Sequence, residues 1–287
     1  MPEGPECRVV ADVIQALACN RLIEEVAVIE NTDILHRYSK KKPLNWWVVT
    51  KPFMIKHVRT KGKLISLDIQ TACSPSLPKE DWTLLVTLGM SGDFQYNAIK
   101  HKHCRYAFIF NDGNDLSFID ARCFGTIRIV KPAEARKLEA KLGWDVLQAK
   151  VPDELWNYLK FKIGSFEVGD ALLEQKYVSG VGNIYRAETL YRTGINPKTP
   201  IMLIKSGQWN KLNTVINEVL QEAYKLNGCS VADFTANGKE GQAQQLLMVY
   251  GKDECPKNHK IETVPQSGRT MWFCPECQPL PSSVQDQ

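Results

Sequence analysis

The sequence predicts an α+β protein in which a β-rich part comes first and a helical part follows. Two observations lead to this prediction. Between residues 21 and 130 the chain is a series of short runs rich in β-branched and aromatic residues, separated by polar turns such as NDGND. Beyond Pro132 the apolar residues recur at helical spacing instead. At 287 residues the chain is long enough for two such domains.

A helix is predicted at the amino terminus, directly after the opening MPEGPE. The apolar residues that follow recur at helical spacing: Val9, Val10, Val13, Ile14 and Leu17. Pro5 suits the first turn of a helix, where its missing N–H is not needed. We expect this helix to end near Asn20.

The β-rich part is predicted to be an antiparallel β-sandwich or a barrel, because many short strands follow one another at close spacing. The predicted strands lie in LIEEVAVIE, WWVVTKPFMIKHV, KLISLDIQ, WTLLVTLGM, RYAFIF, DLSFIDA and TIRIV. The segment TACSPSLPKED is predicted to be a loop between two of them.

The second half is predicted to be helical as far as Gly228. The predicted helices are PAEARKLEAKL, PDELWNYLKF, VGDALLEQKYV, GNIYRAETLYRTG and KSGQWNKLNTVINEVLQEAYKLNG. The segment LGWDVLQAKVP is predicted to be a linker.

Basic residues are concentrated in one stretch, although the net charge is only +4. Residues 34–67 contain nine Lys and Arg residues and no acid. Such a stretch is either a solvated basic face or a surface that binds phosphates. No run of apolar residues is long enough for a membrane span, and the amino terminus lacks the pattern of a secretory signal.

The cysteines indicate a reducing intracellular compartment. Six of the nine are scattered along the chain rather than arranged as a disulfide framework. We therefore expect free thiols, and a protein of the nucleus or cytoplasm.

The other three cysteines predict a metal site. Cys255, His259, Cys274 and Cys277 form a C-x3-H-x14-C-x2-C pattern. Three thiolates and one imidazole make a closed tetrahedral zinc site, in which no position is left open for water. We expect one structural Zn²⁺, with KIETVPQSGRTMWF forming a β-hairpin and Arg269 in its turn, able to reach an anion.

Two glycines precede a predicted helix in the segment VSGVGNIYRAE. Gly180 and Gly182 would let the first N–H groups of that helix approach a phosphate. Asn183, at the junction, could cap the helix or contact the phosphate. A helix hairpin with a glycine turn explains the same residues.

The opening Met-Pro-Glu suggests a nucleophile. Removal of the initiator methionine would leave Pro2 as a secondary amine, and an α-amino group has a pKa of about 7.7–8. The positive end of a helix beginning near Pro5 lowers that pKa further. Such an amine can attack a sugar C1′ to give an iminium, and Glu3 is close enough in sequence to move protons. Taken alone, a Met-Pro start is also common in proteins for which it has no functional role.

Six segments occur in one order: PEGPE, KGK, TLGMSG, DARCFG, EQKYVSGVGNIYRAE and the C-terminal Cys/His cluster. Together they resemble the Fpg/Nei family of DNA glycosylase/AP lyases, from Pro2 to Gln278. The resemblance implies an N-terminal antiparallel β-sandwich with an N-terminal helix, then a helix–two-turn–helix domain with a zinc-finger β-hairpin. It also implies domains at 1–142 and 153–246, a linker at 143–152, a zinc finger at 247–280 and a loose tail at 281–287.

The resemblance assigns roles to single residues. Pro2 would be the Schiff-base nucleophile, Glu3 the proton donor and acceptor, and Glu6 a further active-site carboxylate. Lys63, Asn183 and Arg269 would contact DNA phosphates. Met90, Arg122 and Phe124 would fill the gap left by the flipped nucleotide, a task that suits an apolar wedge and a planar cation. Met90 and Phe124 could instead be core residues, and Lys63 a surface lysine.

The substrate is predicted to be DNA with oxidised bases or abasic sites, bound by a monomer. PEGPE resembles the Nei branch, which favours oxidised pyrimidines, and the zinc-ligating histidine resembles endonuclease VIII-like proteins that act on single-stranded or bubble DNA. Cys123 stands where the Fpg branch has a second arginine. Excision of oxidised purines is the alternative within the family. A non-catalytic DNA-binding protein of the same fold is the alternative outside enzymes.

Overall fold

The computed structural model of the chain describes residues 2–29, 49, 52–71, 79–230 and 234–282. These residues fall into two compact units. Unit 1 comprises Met1–Lys141 and Leu226–Gln242, and unit 2 comprises Leu142–Lys225 and Ala243–Gln287. The predicted α+β class is confirmed, with the strands of the large sheet in unit 1 and most of the helices in unit 2.

Unit 1 begins with helix α1, Gly4–Ala18, as predicted. Pro5 lies in its first turn, and Asn20 follows its end with a left-handed φ of 60°. The buried residues of α1 recur at helical spacing, and they include Val10 and Ile14, which are fully inaccessible to solvent.

Eight strands follow in the described part of unit 1. They are β1 Leu22–Val28, β2 Phe53–Lys61, β3 Leu64–Thr71, β4 Asp81–Thr87, β5 Gly92–Tyr96, β6 Cys104–Phe110, β7 Asp115–Asp120 and β8 Thr126–Val130. Seven of them overlap the seven predicted runs, although β2 ends three residues beyond its run. Strand β5 was not predicted, because its sequence GDFQY contains no β-branched residue. Helix α2, Pro132–Glu139, comes after them. Neighbouring strands are antiparallel throughout.

The predicted sandwich is built from one continuous sheet with the order β5-β7-β6-β1-β2-β3-β4-β8. Strands β1 and β2 share only two residue pairs, at Leu22–Met54 and Ile23–Phe53, so the sheet is divided into two halves of four strands. Phe53 of one half packs edge-on against Phe108 of the other at 6.5 Å between ring centroids. Helix α1 contacts strands of both halves.

A segment from the second half of the chain completes unit 1. Leu226–Gln242, which we call the strap, packs with residues 1–141. The strap lies within the predicted helix–two-turn–helix domain at 153–246, and its partners in the structure are residues of α1 and β5, described below. The predicted domain boundaries stay predictions.

Unit 2 is mainly helical. Its helices are α3 Asp153–Ile163, α4 Val168–Ala171, α5 Asn183–Thr193 and α6 Ser206–Lys225, with short 3₁₀ turns at Ile201–Leu203 and Ala243–Leu246. The rings of Trp156 and Trp209 stack between α3 and α6 at 3.3 Å. None of the described helices is both long and apolar enough to span a membrane.

Two predictions for unit 2 need correction. The predicted linker contains a strand, β9 Trp144–Asp145, which pairs in parallel with β10 Val178–Ser179. The predicted helix VGDALLEQKYV is helical only in α4. It stops early because the backbone carbonyl of Gln175 accepts the Gly143 N–H, and the Gln175 side chain bonds to the backbone at Gly180.

The C-terminal hairpin is present as predicted. Strand β11, Glu262–Gln266, pairs with β12, Arg269–Phe273. Ser267 and Gly268 form the turn, both with positive φ, as a two-residue hairpin turn requires. Arg269 is therefore the first residue of β12 rather than part of the turn.

Of the nine cations in residues 34–67, Lys56, Arg59, Lys61 and Lys63 lie in the described part, and Arg37, Lys40, Lys41, Lys42 and Lys51 lie outside it.

Candidate active site and metal centre

The start of α1 holds together two of the predicted catalytic residues, Pro2 and Glu3, and the predicted supporting carboxylate, Glu6; the third predicted catalytic residue is Lys63. Pro2, Glu3 and Glu6 are all buried. The Glu3 N–H donates to Glu6 Oε2 at 2.7 Å, within a capping box that satisfies the first turn of the helix. The strap supplies the partner of the other oxygen, because the Cys229 N–H donates to Glu6 Oε1 at 2.7 Å. Both oxygens of Glu6 are thus fixed by backbone donors.

Gly228 allows the strap to approach Glu6 this closely. Its φ is +81°, a conformation that side chains disfavour. A Cβ atom at this position would lie 2.8 Å from Glu6 Cγ and 2.9 Å from Glu6 Oε1. Sequence reasoning did not single out Gly228, because only the fold brings it to α1.

Lys63 lies in the two-residue turn between β2 and β3, after Gly62 with φ +58°. The thiol of Cys7, in α1, donates to the Lys63 carbonyl at 3.5 Å. The hairpin tip is thereby held against the first turns of α1. The structure thus brings Lys63 to the same end of α1 as Pro2 and Glu3.

The predicted gap-filling residues form one exposed group on two adjacent loops of unit 1. Phe124 is 50% exposed and Met90 is 37% exposed, so neither is a core residue. Arg122 Nη1 lies 4.0 Å from Met90 Sδ. The loops touch at Gly89, where a Cβ would be 2.4 Å from the Phe124 carbonyl carbon. The core alternative for Met90 and Phe124 is therefore wrong.

Asp120 organises these two loops, and the sequence reasoning passed over it although it lies in the quoted DARCFG. Its carboxylate is completely buried and accepts from the Ser91 hydroxyl at 2.6 Å and the Gly125 N–H at 2.8 Å. The Arg122 N–H donates to Ser91 Oγ at 3.0 Å. One carboxylate therefore fixes the backbone that presents all three exposed side chains.

Asp93, also missed, anchors the other end of the strap to β5. Its carboxylate accepts from the Thr235 hydroxyl at 2.7 Å, the Asn237 N–H at 3.0 Å and the Gly238 N–H at 3.1 Å. Burial raises the pKa of Asp93 above its ordinary value, although these donors act in the opposite direction. Asp93 follows Met90 by three residues, so the strap is fixed close to the gap-filling loop as well as to Glu6.

In unit 2 the predicted phosphate contacts Asn183 and Arg269 are neighbours. Gly182 is the N-cap of α5 and Asn183 its first residue, so Asn183 is not the cap. Asn183 Nδ2 donates to the Thr270 carbonyl at 2.9 Å, directly beside the exposed Arg269. The buried Arg186 holds this arrangement by donating to Asn183 Oδ1 at 2.7 Å.

The four predicted metal ligands converge on one point. The donor atoms of Cys255, His259, Cys274 and Cys277 all lie within 4.8 Å of one another. Cys255 Sγ is 4.0 Å from Cys277 Sγ, and His259 Nδ1 is 3.4 Å from Cys277 Sγ. A tetrahedron with metal–sulfur bonds of about 2.3 Å has edges close to these lengths.

The chemistry of this cluster calls for a cation. Burial works against ionisation of Cys255, but the backbone N–H groups of Lys257 and His259 and the Tyr191 hydroxyl together lower the pKa of Cys255 to about 6. Burial and the neighbouring thiols raise the pKa of Cys274 to about 11. A divalent cation would stabilise all three thiolates at once. Glu276 Oε2, 3.5 Å from His259 Nε2, fits the outer carboxylate that commonly orients a ligating histidine.

The comparisons with known proteins agree with this arrangement. Residues 1–127 match the family described as the formamidopyrimidine-DNA glycosylase N-terminal domain, and residues 142–235 match the H2TH domain of the same glycosylase. A formamidopyrimidine-DNA glycosylase of Shouchella clausii is 30% identical over 98% of this chain and 100% of its own. One from Lactobacillus helveticus is 35% identical over 69% of this chain and 75% of its own.

Solved structures of Fpg are similar to this chain as well. The Lactococcus lactis Fpg in complex with DNA containing an abasic site has a TM-score of 0.80 at 25% identity, covering 96% of this chain and 99% of that one. The same protein bound to DNA with an oxidised pyrimidine has a TM-score of 0.78 at 25% identity, covering 97% and 100%.

Proposed function

The chain belongs to the formamidopyrimidine-DNA glycosylase family, and we propose that it excises oxidised bases from DNA and then cleaves the strand at the abasic site. The glycosylase class and its place in base excision repair follow from the family. The lyase step, the nucleophile and the preferred base are our proposal. The observation that carries it is the buried group of Pro2, Glu3 and Glu6 at the positive end of α1.

Pro2 is proposed to act through its secondary amine once Met1 is removed. The nitrogen lone pair attacks C1′, the C1′–N bond to the base breaks, and the base leaves with a proton supplied by Glu3, which then takes up the proton that the amine loses. Glu3 returns this proton to the ring oxygen O4′, the C1′–O4′ bond breaks, and the nitrogen lone pair forms the C1′=N⁺ iminium. The iminium acidifies the C2′–H, and loss of that proton breaks the C3′–O bond and expels the 3′ phosphate. The α1 dipole favours the neutral amine before attack, because its positive end opposes a second positive charge nearby. Glu6, fixed by two backbone donors, holds the helix start in place.

Oxidised pyrimidines are the proposed substrates, supported by the Nei-like PEGPE opening and by the lack of a second arginine at Cys123. Oxidised purines are the second candidate, because the relatives are named for formamidopyrimidine and two neighbouring structures are complexes with Fapy-dG DNA. A panel of defined lesions in duplex, bubble and single-stranded oligonucleotides decides between them.

Zinc is the metal we propose for the Cys255–His259–Cys274–Cys277 cluster, since three thiolates and an imidazole suit Zn²⁺. When bound, it would close the hairpin that carries Arg269, and with four protein ligands it would be structural.

The protein is proposed to work in a reducing compartment, which the free cysteines in the described part support. The predicted monomer remains a prediction.

Borohydride trapping tests the nucleophile. The processed protein should become covalently attached to an oligonucleotide containing an abasic site. A protein with an N-terminal extension should not, because its proline nitrogen is an amide without a nucleophilic lone pair. A C-terminal extension of the same length is the control. Equal trapping by the N-terminally blocked protein would transfer the role to a lysine such as Lys63, and no trapping by any form would favour a non-catalytic DNA-binding protein.

A further inference from the structure

Helix α3 of unit 2 exposes large aromatic side chains. Phe161 is 90% exposed and Tyr158, three residues earlier on the same face of the helix, is 50% exposed. The other face of α3 carries the buried side chains of Trp156, Leu159 and Ile163. The helix therefore needs neither exposed ring for its own packing, and exposed apolar groups that cluster in this way indicate a binding surface.

A neighbouring segment extends this surface. The Met202 N–H donates to the Gly164 carbonyl at 2.9 Å, and the Ile201 N–H donates to the Phe166 carbonyl at 3.0 Å. Met202 is 59% exposed and Phe166 is 45% exposed. We call Tyr158, Phe161, Phe166 and Met202 the aromatic surface.

Cations are interleaved with these rings. Lys160 and Lys162 flank Phe161, and residues 155–166 contain no acid. Lys205, also exposed, follows the Met202 segment. In the part of the chain that the structure describes, neither Lys160 nor Lys162 forms an ion pair with a carboxylate. Lys160 Nζ lies 5.7 Å from the centroid of the Trp156 ring, a contact that does not neutralise its charge, so both charges are available to an anionic partner.

We propose that the aromatic surface binds single-stranded DNA, with bases stacked on Phe161 and Tyr158 and phosphates near Lys160 and Lys162. Exposed rings next to lysines that have no carboxylate partner among the described residues fit a strand whose bases are unstacked and whose backbone is charged. A surface built for an apolar protein partner would instead be depleted in lysine. A duplex presents phosphates but hides the faces of its bases, so it would leave the rings without a partner.

This surface goes beyond the proposed catalysis, because it contains none of the catalytic, gap-filling or metal-binding residues. It would give the protein a second binding site for a strand that is locally unpaired, as in a bubble. Its binding does not depend on Pro2, so it can be tested whether or not the nucleophile is correctly assigned.

The test measures binding of a labelled oligothymidylate of about 16 nucleotides, a length at the upper end of single-strand site sizes. A saturating unlabelled duplex with a tetrahydrofuran abasic-site analogue occupies the catalytic site during the titration. Phe161→Ala should weaken binding at least about fivefold, since one stacked base is worth about 1–3 kcal/mol. Thermal unfolding of this variant should match the parent, because the ring is exposed.

Conservative variants identify the chemistry. Phe161→Tyr keeps a ring and should bind as the parent does, whereas Phe161→Leu should be as weak as Phe161→Ala. Full binding by Phe161→Leu would overturn the proposal in favour of an apolar surface for a protein partner. Unchanged binding by Phe161→Ala would also overturn it.

The lysines are tested by salt dependence. The double variant Lys160→Gln/Lys162→Gln should reduce the slope of log K against log salt by about 1.4, at about 0.7 for each cation lost. Lys137→Gln/Lys141→Gln, two exposed lysines of unit 1, is the matched control and should leave the slope unchanged. Equal slopes for the two double variants would contradict the assignment.

Discussion

At the scale of single residues, the active site depends on a backbone position that carries no side chain. Gly228 has φ +81° and lies where a Cβ would press on Glu6, whereas Gly113 has φ +80° with open space around it. The two glycines therefore separate the cost of the left-handed backbone from the cost of crowding Glu6.

We expect Gly113→Ala to lower the free energy of unfolding by about 1 kcal/mol, through backbone strain alone. Gly228→Ala should lower it by about 1–3 kcal/mol more and slow base excision, because Glu6 must move. Urea unfolding and single-turnover excision measure the two effects. Similar losses for both variants would show that Gly228 does not position Glu6.

Met90 provides a second test at this scale. Met90→Ala should slow base removal from a paired duplex but leave cleavage of an abasic site nearly intact, because only a paired base must be unstacked, at a cost of a few kcal/mol. Val28→Ala, another exposed apolar side chain of unit 1, is the control. If both substrates are cleaved equally slowly, Met90 has a structural role instead.

At the scale of elements, the C-terminal hairpin buries few apolar side chains of its own, although its backbone and Gln266 form hydrogen bonds with the rest of unit 2. Its inward-facing buried side chains are Met271 and Phe273, together with Gln266. A two-stranded hairpin of this size is marginal by itself in water, so we expect the metal to supply most of its stability.

Cys274→Ser should therefore reduce the zinc content from about one equivalent to well below it, since three ligands hold the ion poorly. It should also weaken DNA binding, because Arg269 and the Thr270 carbonyl that Asn183 contacts both lie on β12. Metal analysis and a DNA titration on the same preparation measure both. Cys19→Ser, outside the cluster, should change neither, and a metal-free parent protein would refute the site.

At the scale of the whole molecule, the chain order does not follow the division into units. Unit 1 is completed by the strap, which is separated from residues 1–141 by more than eighty residues of unit 2. The strap supplies backbone donors to Glu6 and Asp93, two carboxylates buried in unit 1. Without those donors both carboxylates would be left buried and poorly satisfied.

A fragment of residues 1–141 should accordingly lose at least about 3 kcal/mol of stability relative to the same fragment joined to 226–242 by a flexible Gly/Ser linker. Urea unfolding followed by tryptophan fluorescence compares the two. Equal midpoints would mean that the strap contributes nothing to unit 1. The urea midpoint of the linker-joined fragment with Asp93→Asn should lie between the midpoints of these two fragments.

Much of the local structure could be predicted because it depends on neighbours in sequence. Runs of β-branched and aromatic residues predicted the strands of unit 1 except β5, and the glycines around 180 and 194 predicted both ends of α5. Apolar spacing failed for the predicted helix VGDALLEQKYV, of which only α4 is helical, since the hydrogen bonds of Gln175 to Gly143 and Gly180 depend on the fold and spacing cannot show them.

The sequence by itself determined the α+β class and the family, and it predicted the candidate catalytic and metal-binding side chains, because these depend on residue type and spacing along the chain. The tertiary structure alone decided that the strap belongs to unit 1, that Gly228 and Cys229 meet Glu6, and that Asp93 and Asp120 fix the loops around Met90. The physical reason is the same in each case. A buried carboxylate needs donors, and those donors come from whichever distant backbone the fold brings within 3 Å or so, which local spacing does not encode.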